Sequence, residues 1–201
     1  MAKKKHEYHE ISRGTLVTEG LTFYPEKHEY FYNGKKLSGI TGTVGKKLKR
    51  NYDCGHVEEG RMQGSHVHEA IEAFIKTGKI ITVHPAANWA IKELEKIAAK
   101  GRKIYSEVLV SDFDAHATAC DILVLIEGTN DVILCDTKAG EFKRDYVTLQ
   151  LSIEKMMIEE TTDYRVKEAY CISTRDREFY PIFFKRKQEM KALLYPVKVT
   201  K

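Results

Sequence analysis

The sequence predicts an α/β domain in which a central mixed β-sheet is flanked by α-helices and preceded by an N-terminal β-hairpin extension. Three observations carry that expectation: an apolar stripe of helical period from Val67, three successive strand-like runs between residues 104 and 138, and the turn dipeptide Asn33-Gly34 between two β-prone stretches. The chain has 201 residues, 42% of them hydrophobic and 31% charged, with only 4 Pro and 13 Gly. That composition belongs to a folded domain and not to a disordered or collagen-like chain, and the length excludes two large domains.

The elements follow in order. Residues 28–40, HEYFYNGKKLSGI, read as a hairpin, because Asn and Gly both tolerate the positive φ that a two-residue type I′ turn requires. Lys46, Lys47, Lys49 and Arg50 then place four cations within five residues. Val67, Ala70, Ile71, Phe74 and Ile75 form an i, i+3, i+4, i+7, i+8 stripe, so a helix is expected with Ser65 as its N-cap and Gly78 as its stop. His68 falls at the rim of that stripe and His66 on the opposite flank. A second helix is expected from about Pro85 to Lys100, with proline in the first turn. Ile104–Val110, Asp121–Ile126 and Val132–Lys138 are rich in β-branched residues and read as strands. Asp145–Glu160 reads as a helix, Arg165–Ser173 and Glu178–Phe184 as strands, and Lys185-Arg186-Lys187 as the opening of a last helix. The organisation expected is a basic extension with the hairpin at 1–63 and a core at 64–201, in one compact domain.

Net charge is only +4, but residues 1–50 hold eleven Lys or Arg against five Glu, a local +6, so the remainder sums to −2. Phosphate binding needs only exposed cations within reach, so Lys46, Lys47, Lys49, Arg50, Lys185, Arg186 and Lys187 are the residues expected to meet a polyanion. The aromatic residues around Tyr24, Tyr30, Phe31 and Tyr32 either stack on a ligand or pack one hairpin face on the core, and packing is favoured. Cys54, Cys120, Cys135 and Cys171 are widely spaced without a C-x-x-C pair, so reduced thiols are expected and a zinc or iron–sulfur site is not. No apolar run reaches the roughly 18 residues that span a bilayer, and neither a signal peptide nor a membrane association is expected.

Chemistry concentrates at Asp121 and at Asp136-Thr137-Lys138. If four residues connect their strands, Ile126 pairs with Asp131 and Asp121 with Asp136, and Lys138 joins them on one face by the two-residue period. A five-residue connection would put Asp121 on the other face. Two carboxylates and an ammonium suit a hard divalent cation with a bound water, the combination used to hydrolyse phosphodiesters. The plain alternative is a salt bridge at a strand end. His66 and His68, two apart on a helix, point about 200° from one another and do not share a metal.

In these elements the sequence resembles the PD-(D/E)XK nuclease superfamily, particularly its RecB-like and phage exonuclease branch, over roughly residues 28–184. Gly64-Ser-His-Val-His68 matches the family's helical G-x-x-x-H element, Asp121 the acid of the second core strand, Asp136-Thr-Lys138 the D/E-x-K element, and Gln150 the first position of Q-x-x-x-Y. Two positions depart from the pattern: Thr118 stands where glycine is frequent, and Glu154 replaces the tyrosine.

The resemblance implies a restriction-endonuclease-like core, and Mg2+ or Mn2+ held by His68, Asp121, Asp136 and the Thr137 carbonyl. Lys138 would position the attacking water, Gln150 would steady the site, and Glu107 on the first core strand is a further candidate acid. It implies a metal-dependent deoxyribonuclease without an iron–sulfur cluster, an exonuclease of phage or mobile-element recombination, in the cytoplasm of a bacterial or phage-infected cell. Endonuclease activity on the same fold and a non-catalytic nucleic-acid- or protein-binding module are the alternatives. Partners implied are DNA and a recombination or single-strand annealing protein. Some relatives close into ring-shaped trimers, which places a homo-oligomer among the implied assemblies.

Overall fold

The computed structural model describes residues 5–48, 57–80 and 84–196, the side chains of 57–63 excepted. A small sheet opens the chain, β1 (His9–Ser12) antiparallel to β2 (Thr15–Val17). Next come β3 (Leu21–Tyr24), β4 (Glu29–Tyr32) and β5 (Lys35–Gly39) as an antiparallel meander. Tyr32 pairs with Lys35 across Asn33 (φ 47°) and Gly34 (φ 81°), the turn expected from the dipeptide. Tyr30 is buried and stacks on Phe23, so this face packs inward, while Tyr24 is exposed.

The meander is not an appendage. β5 pairs in parallel with the start of the long central strand, through Ser38 with His116 and Gly39 with Ala117. α1 (Ile40–Lys47), α2 (Val57–Thr77) and α3 (Pro85–Ala98) follow, then β6 (Arg102–Ser111), β7 (His116–Ile126) and β8 (Asp131–Lys138) as a second antiparallel meander. α4 (Arg144–Thr161) carries the chain back to β9 (Arg165–Ser173), parallel to β8, and β10 (Glu178–Pro181) and α5 (Lys187–Leu194) complete it. The result is an eight-stranded mixed sheet in three layers. On one face the stripe of α2 and the Ala87, Ala90, Ile91 and Leu94 side of α3 bury Ile122, Val124, Ile133, Cys135 and Ile172. On the other, α1, α4 and α5 bury Leu123, Val132, Leu134, Val166, Ala169 and Cys171.

Two expectations need correction. Ser65 is not an N-cap, because α2 begins eight residues earlier. The stretch 57–63 lacks an apolar stripe but is built largely of good helix formers, with Glu58 and Glu59 in the first turn where the helix dipole favours acids. Asp121 does not head its strand but stands in the middle of β7, which starts at His116. Gly78 does end α2, with φ 71° and its N–H bonded to the Phe74 carbonyl. Among the described residues no helix is long and apolar enough to cross a membrane.

Candidate metal centre

The site lies where β7 and β8 part. Ile122 pairs with Cys135 and Leu125 with Val132, the register of a four-residue connection, and one further step would set Asp121 against Asp136. The backbone ladder stops before that step. The next donor, the Thr137 N–H, bonds instead to Asp121 Oδ2 at 2.8 Å. The Thr137 carbonyl in turn meets His68 Nε2 at 2.9 Å. One peptide segment of β8 is therefore held from both sides by groups that the sequence singled out.

Alternation also slips here. Tyr105 and Leu123 lie in the core on the α4 side, and so do Val108 and Cys120, an odd number of residues away on the same strands. Between Tyr105 and Val108, Glu107 takes φ 51°, unusual for a side chain of its size. Glu107 stands opposite Asp121, between the pairs Ser106 with Ile122 and Val108 with Cys120. The ligand atoms of His68, Glu107 and Asp121 all lie within 4.8 Å of one another, with His68 Nδ1 at 3.5 Å from Asp121 Oδ2. They surround a void of about 10 Å³, close to the space of one water-sized sphere. Three ligands about 2.1 Å from one ion lie about 3.0 Å apart at adjacent octahedral positions, so the three groups would have to draw together by up to roughly 1.8 Å to share a cation. Two carboxylates and an imidazole beside a backbone carbonyl are a donor set that fits a divalent cation.

Asp136 and Lys138 form the other half. Asp136 is 1% exposed, and the Lys138 ammonium reaches its Oδ2 at 2.7 Å and its Oδ1 at 2.9 Å. Burial, followed by the charge of Asp121, raises the Asp136 carboxyl to about 6 against the pull of Lys138. Burial alone would lower the lysine, but Asp136 and Asp121 override it and hold the ammonium above its ordinary range.

Behind this pair stands Glu154 on α4, 1% exposed, accepting from Gln150 Nε2 at 3.2 Å and from the Cys120 thiol at 3.2 Å. Burial and then Asp136 push Glu154 up to about 8; burial and then Asp121 do the same to Glu107. Burial and then Glu154 push the Cys120 thiol up as well, which keeps it a donor. Three carboxyls are thus raised around one locus, by burial first and by one another's charge second.

The structure thus joins His68, Glu107, Asp121 and Thr137 on one side, and Asp136, Lys138, Gln150 and Glu154 on the other. Asp121 and Asp136 are not backbone partners as the extended register implies, because the β7–β8 ladder ends at Ile122 and Cys135. Sequence reasoning missed Glu72, which lines the cleft one helical turn after His68 and pairs with Lys76; the i, i+4 spacing was the available signal. Lys46 and Lys47 are exposed in the last turn of α1, while Lys49 and Arg50 lie outside the described residues. Lys185 and Arg186 are exposed ahead of α5, whereas Lys187 is engaged by Glu160 at 2.7 Å. No protein-family model matches the chain, and no curated protein matches it.

Proposed function

We propose that the protein is a metal-dependent deoxyribonuclease of restriction-endonuclease-like fold that hydrolyses phosphodiester bonds, working as an exonuclease in phage or mobile-element DNA processing. The observation that carries this reading is the Thr137 peptide: its N–H is bonded to Asp121, its carbonyl to His68, and the two residues flanking it are the buried Asp136–Lys138 pair. A lone salt bridge at a strand end needs none of the convergence on its neighbour.

In this reading His68, Glu107, Asp121 and the Thr137 carbonyl hold Mg2+ or Mn2+, with Asp136 beside them. When bound, such an ion lowers the pKa of a water and polarises a phosphoryl oxygen. Lys138 keeps its proton, so it acts as a donor that aims the attacking water and offsets developing negative charge, and not as a general base. Asp136 fixes that ammonium in place. Gln150, bonded to Glu154, steadies the wall behind the pair. Lys46, Lys47, Lys185 and Arg186 supply exposed cations for the DNA backbone, and α1 packs against both α4 and α5 in that layer.

The test is incubation of the protein and of Lys138→Ala with linear and covalently closed circular duplex DNA, with Mg2+, Mn2+ or chelator. Metal-dependent loss of linear DNA alone, absent in the variant, is the expected outcome. Nicking of the circle would replace the exonuclease by an endonuclease, and no cleavage by a folded protein would overturn the enzyme.

A further inference from the structure

Beyond Lys138 and Ser173, the carboxyl ends of the parallel strands β8 and β9 open into a cleft of about 470 Å³ lined by Glu141, Phe142, Arg144, Arg175, Asp176 and Tyr180. Its volume falls within the roughly 300–1,000 Å³ of small-ligand pockets, and it is broadly open to solvent. Its wall starts close to the proposed chemistry. The Thr174 N–H bonds to the Lys138 carbonyl at 3.0 Å, immediately before Arg175, and Glu141 is three residues past Lys138, within about 11 Å even when fully extended.

The lining has two parts. Phe142 and Tyr180 stack with ring centres 4.8 Å apart and planes 16° from parallel, and the Arg144 guanidinium stands 5.1 Å from the Phe142 ring while donating to the Pro181 carbonyl. This is an aromatic ledge with a cation beside it. The charges, moreover, are unequally engaged. Asp176 accepts from the Ser173 and Tyr180 hydroxyls, and Glu141 faces Lys143 at 3.6 Å. Arg144 has no carboxylate partner among the described residues, and Arg175 is exposed with neither a hydrogen bond nor an ion pair there. Asp176 is committed to two hydroxyls, Arg144 is held by a backbone carbonyl and a ring and not by an acid, and Arg175 is left without a partner among the described residues.

We infer that this cleft is a binding surface for an unpaired nucleotide of a single-stranded DNA segment next to the scissile bond, its base stacking on the Phe142–Tyr180 ledge and its phosphate meeting Arg175 and Arg144. The inference deepens the nuclease reading and rests on it for its position beside Lys138. Phe142 and Tyr180 pack on the core beneath them, and the ring surface left toward the cleft suits an unpaired base; a duplex offers a free base face only at its terminal pair.

The test is fluorescence anisotropy in chelator with a labelled dT12 strand, an abasic strand of equal phosphate count and a blunt duplex. The proteins are the wild type, Tyr180→Leu, which keeps the apolar packing under the ledge, and Arg175→Ala, each checked by circular dichroism. Tyr180→Leu should weaken dT12 binding roughly tenfold and leave the abasic strand unchanged. Arg175→Ala should weaken both strands and reduce the salt slope by about 0.7. Unaltered dT12 binding by Tyr180→Leu, equal binding of dT12 and the abasic strand by the wild type, or equal displacement by an acidic peptide would each overturn the inference. Cleavage by the same wild-type protein separates the two readings. With cleavage intact and Tyr180→Leu binding normally, only the cleft falls; with Tyr180→Leu impaired and cleavage absent, only the nuclease does.

Discussion

Asp121 and Asp136 are one register step from being partners, yet their surroundings are opposite. The side chain of Asp121 is 16% exposed in an open cleft with His68 and Glu107. That of Asp136 is 1% exposed, closed off by Lys138 and backed by Glu154. Strand divergence produces the difference: the ladder ends at Ile122 and Cys135, and a carboxylate takes the next N–H. Under the proposed function the two identical residue types would take separate tasks, an open half for a cation and a closed half that holds an ammonium still. Burial first, and neighbouring carboxylates second, raise the Asp136 and Glu154 carboxyls of the closed half.

The largest expected effect separates the halves by activity. Lys138→Ala should lower the single-turnover cleavage rate on the order of 10²–10³-fold, the usual cost of losing one preorganised donor. Glu107→Gln, on the open half, should cost about tenfold and be partly recovered at high Mn2+, as expected of a weakened ligand set. Equal losses that metal does not rescue would erase the distinction.

Stability against pH sharpens it next. Asp136 is raised from 3.8 to about 6, and Glu154 from 4.5 to about 8. The folded state keeps these protons to higher pH than the unfolded chain does, so the stability they contribute is complete below about pH 4 and lost as pH climbs through 6 and then 8. In chelator the melting temperature should therefore fall across that window, and saturating Mg2+ should restore a part of the loss at pH 8. Glu154→Gln should flatten the fall and melt on the order of 5 °C higher than the wild type at pH 8. A wild type that gains stability between pH 5 and 8 in chelator would contradict the burial argument. The smallest effect belongs to the periphery: Arg186→Ala should leave the melt unchanged and reduce the salt slope of duplex DNA binding by about one unit.

Much of this was legible in the residues, and for identifiable reasons. Asn33-Gly34 announces its turn, and the Val67–Ile75 stripe its helix, because both signals are local. The β7–β8 register followed from the length of one connection. What was hidden depends on departures from regularity. Period-two reasoning assumes a continuous pleat, so it aligned Asp121 with Asp136 and Lys138 and left Glu107 undecided. The positive φ at Glu107 and the parting of the strands turn Glu107 and Asp121 towards His68 instead. The start of α2 was missed because residues 57–63 are helix-forming without being amphipathic. Glu154, which stands where the resembled family pattern has tyrosine, is satisfied in its buried position: a thiol and an amide supply both of its oxygens with donors.

The most direct measurement is titration of Mn2+ into the wild type, Asp121→Asn and Lys138→Ala, read by calorimetry and by loss of the free-ion paramagnetic resonance signal. The account predicts that the wild type binds Mn2+, that Asp121→Asn binds it at least about tenfold more weakly, and that Lys138→Ala still binds it while failing to cleave DNA. A wild type that binds no Mn2+, or an Asp121→Asn variant that binds as tightly as the wild type, would contradict the division of labour between the two aspartates.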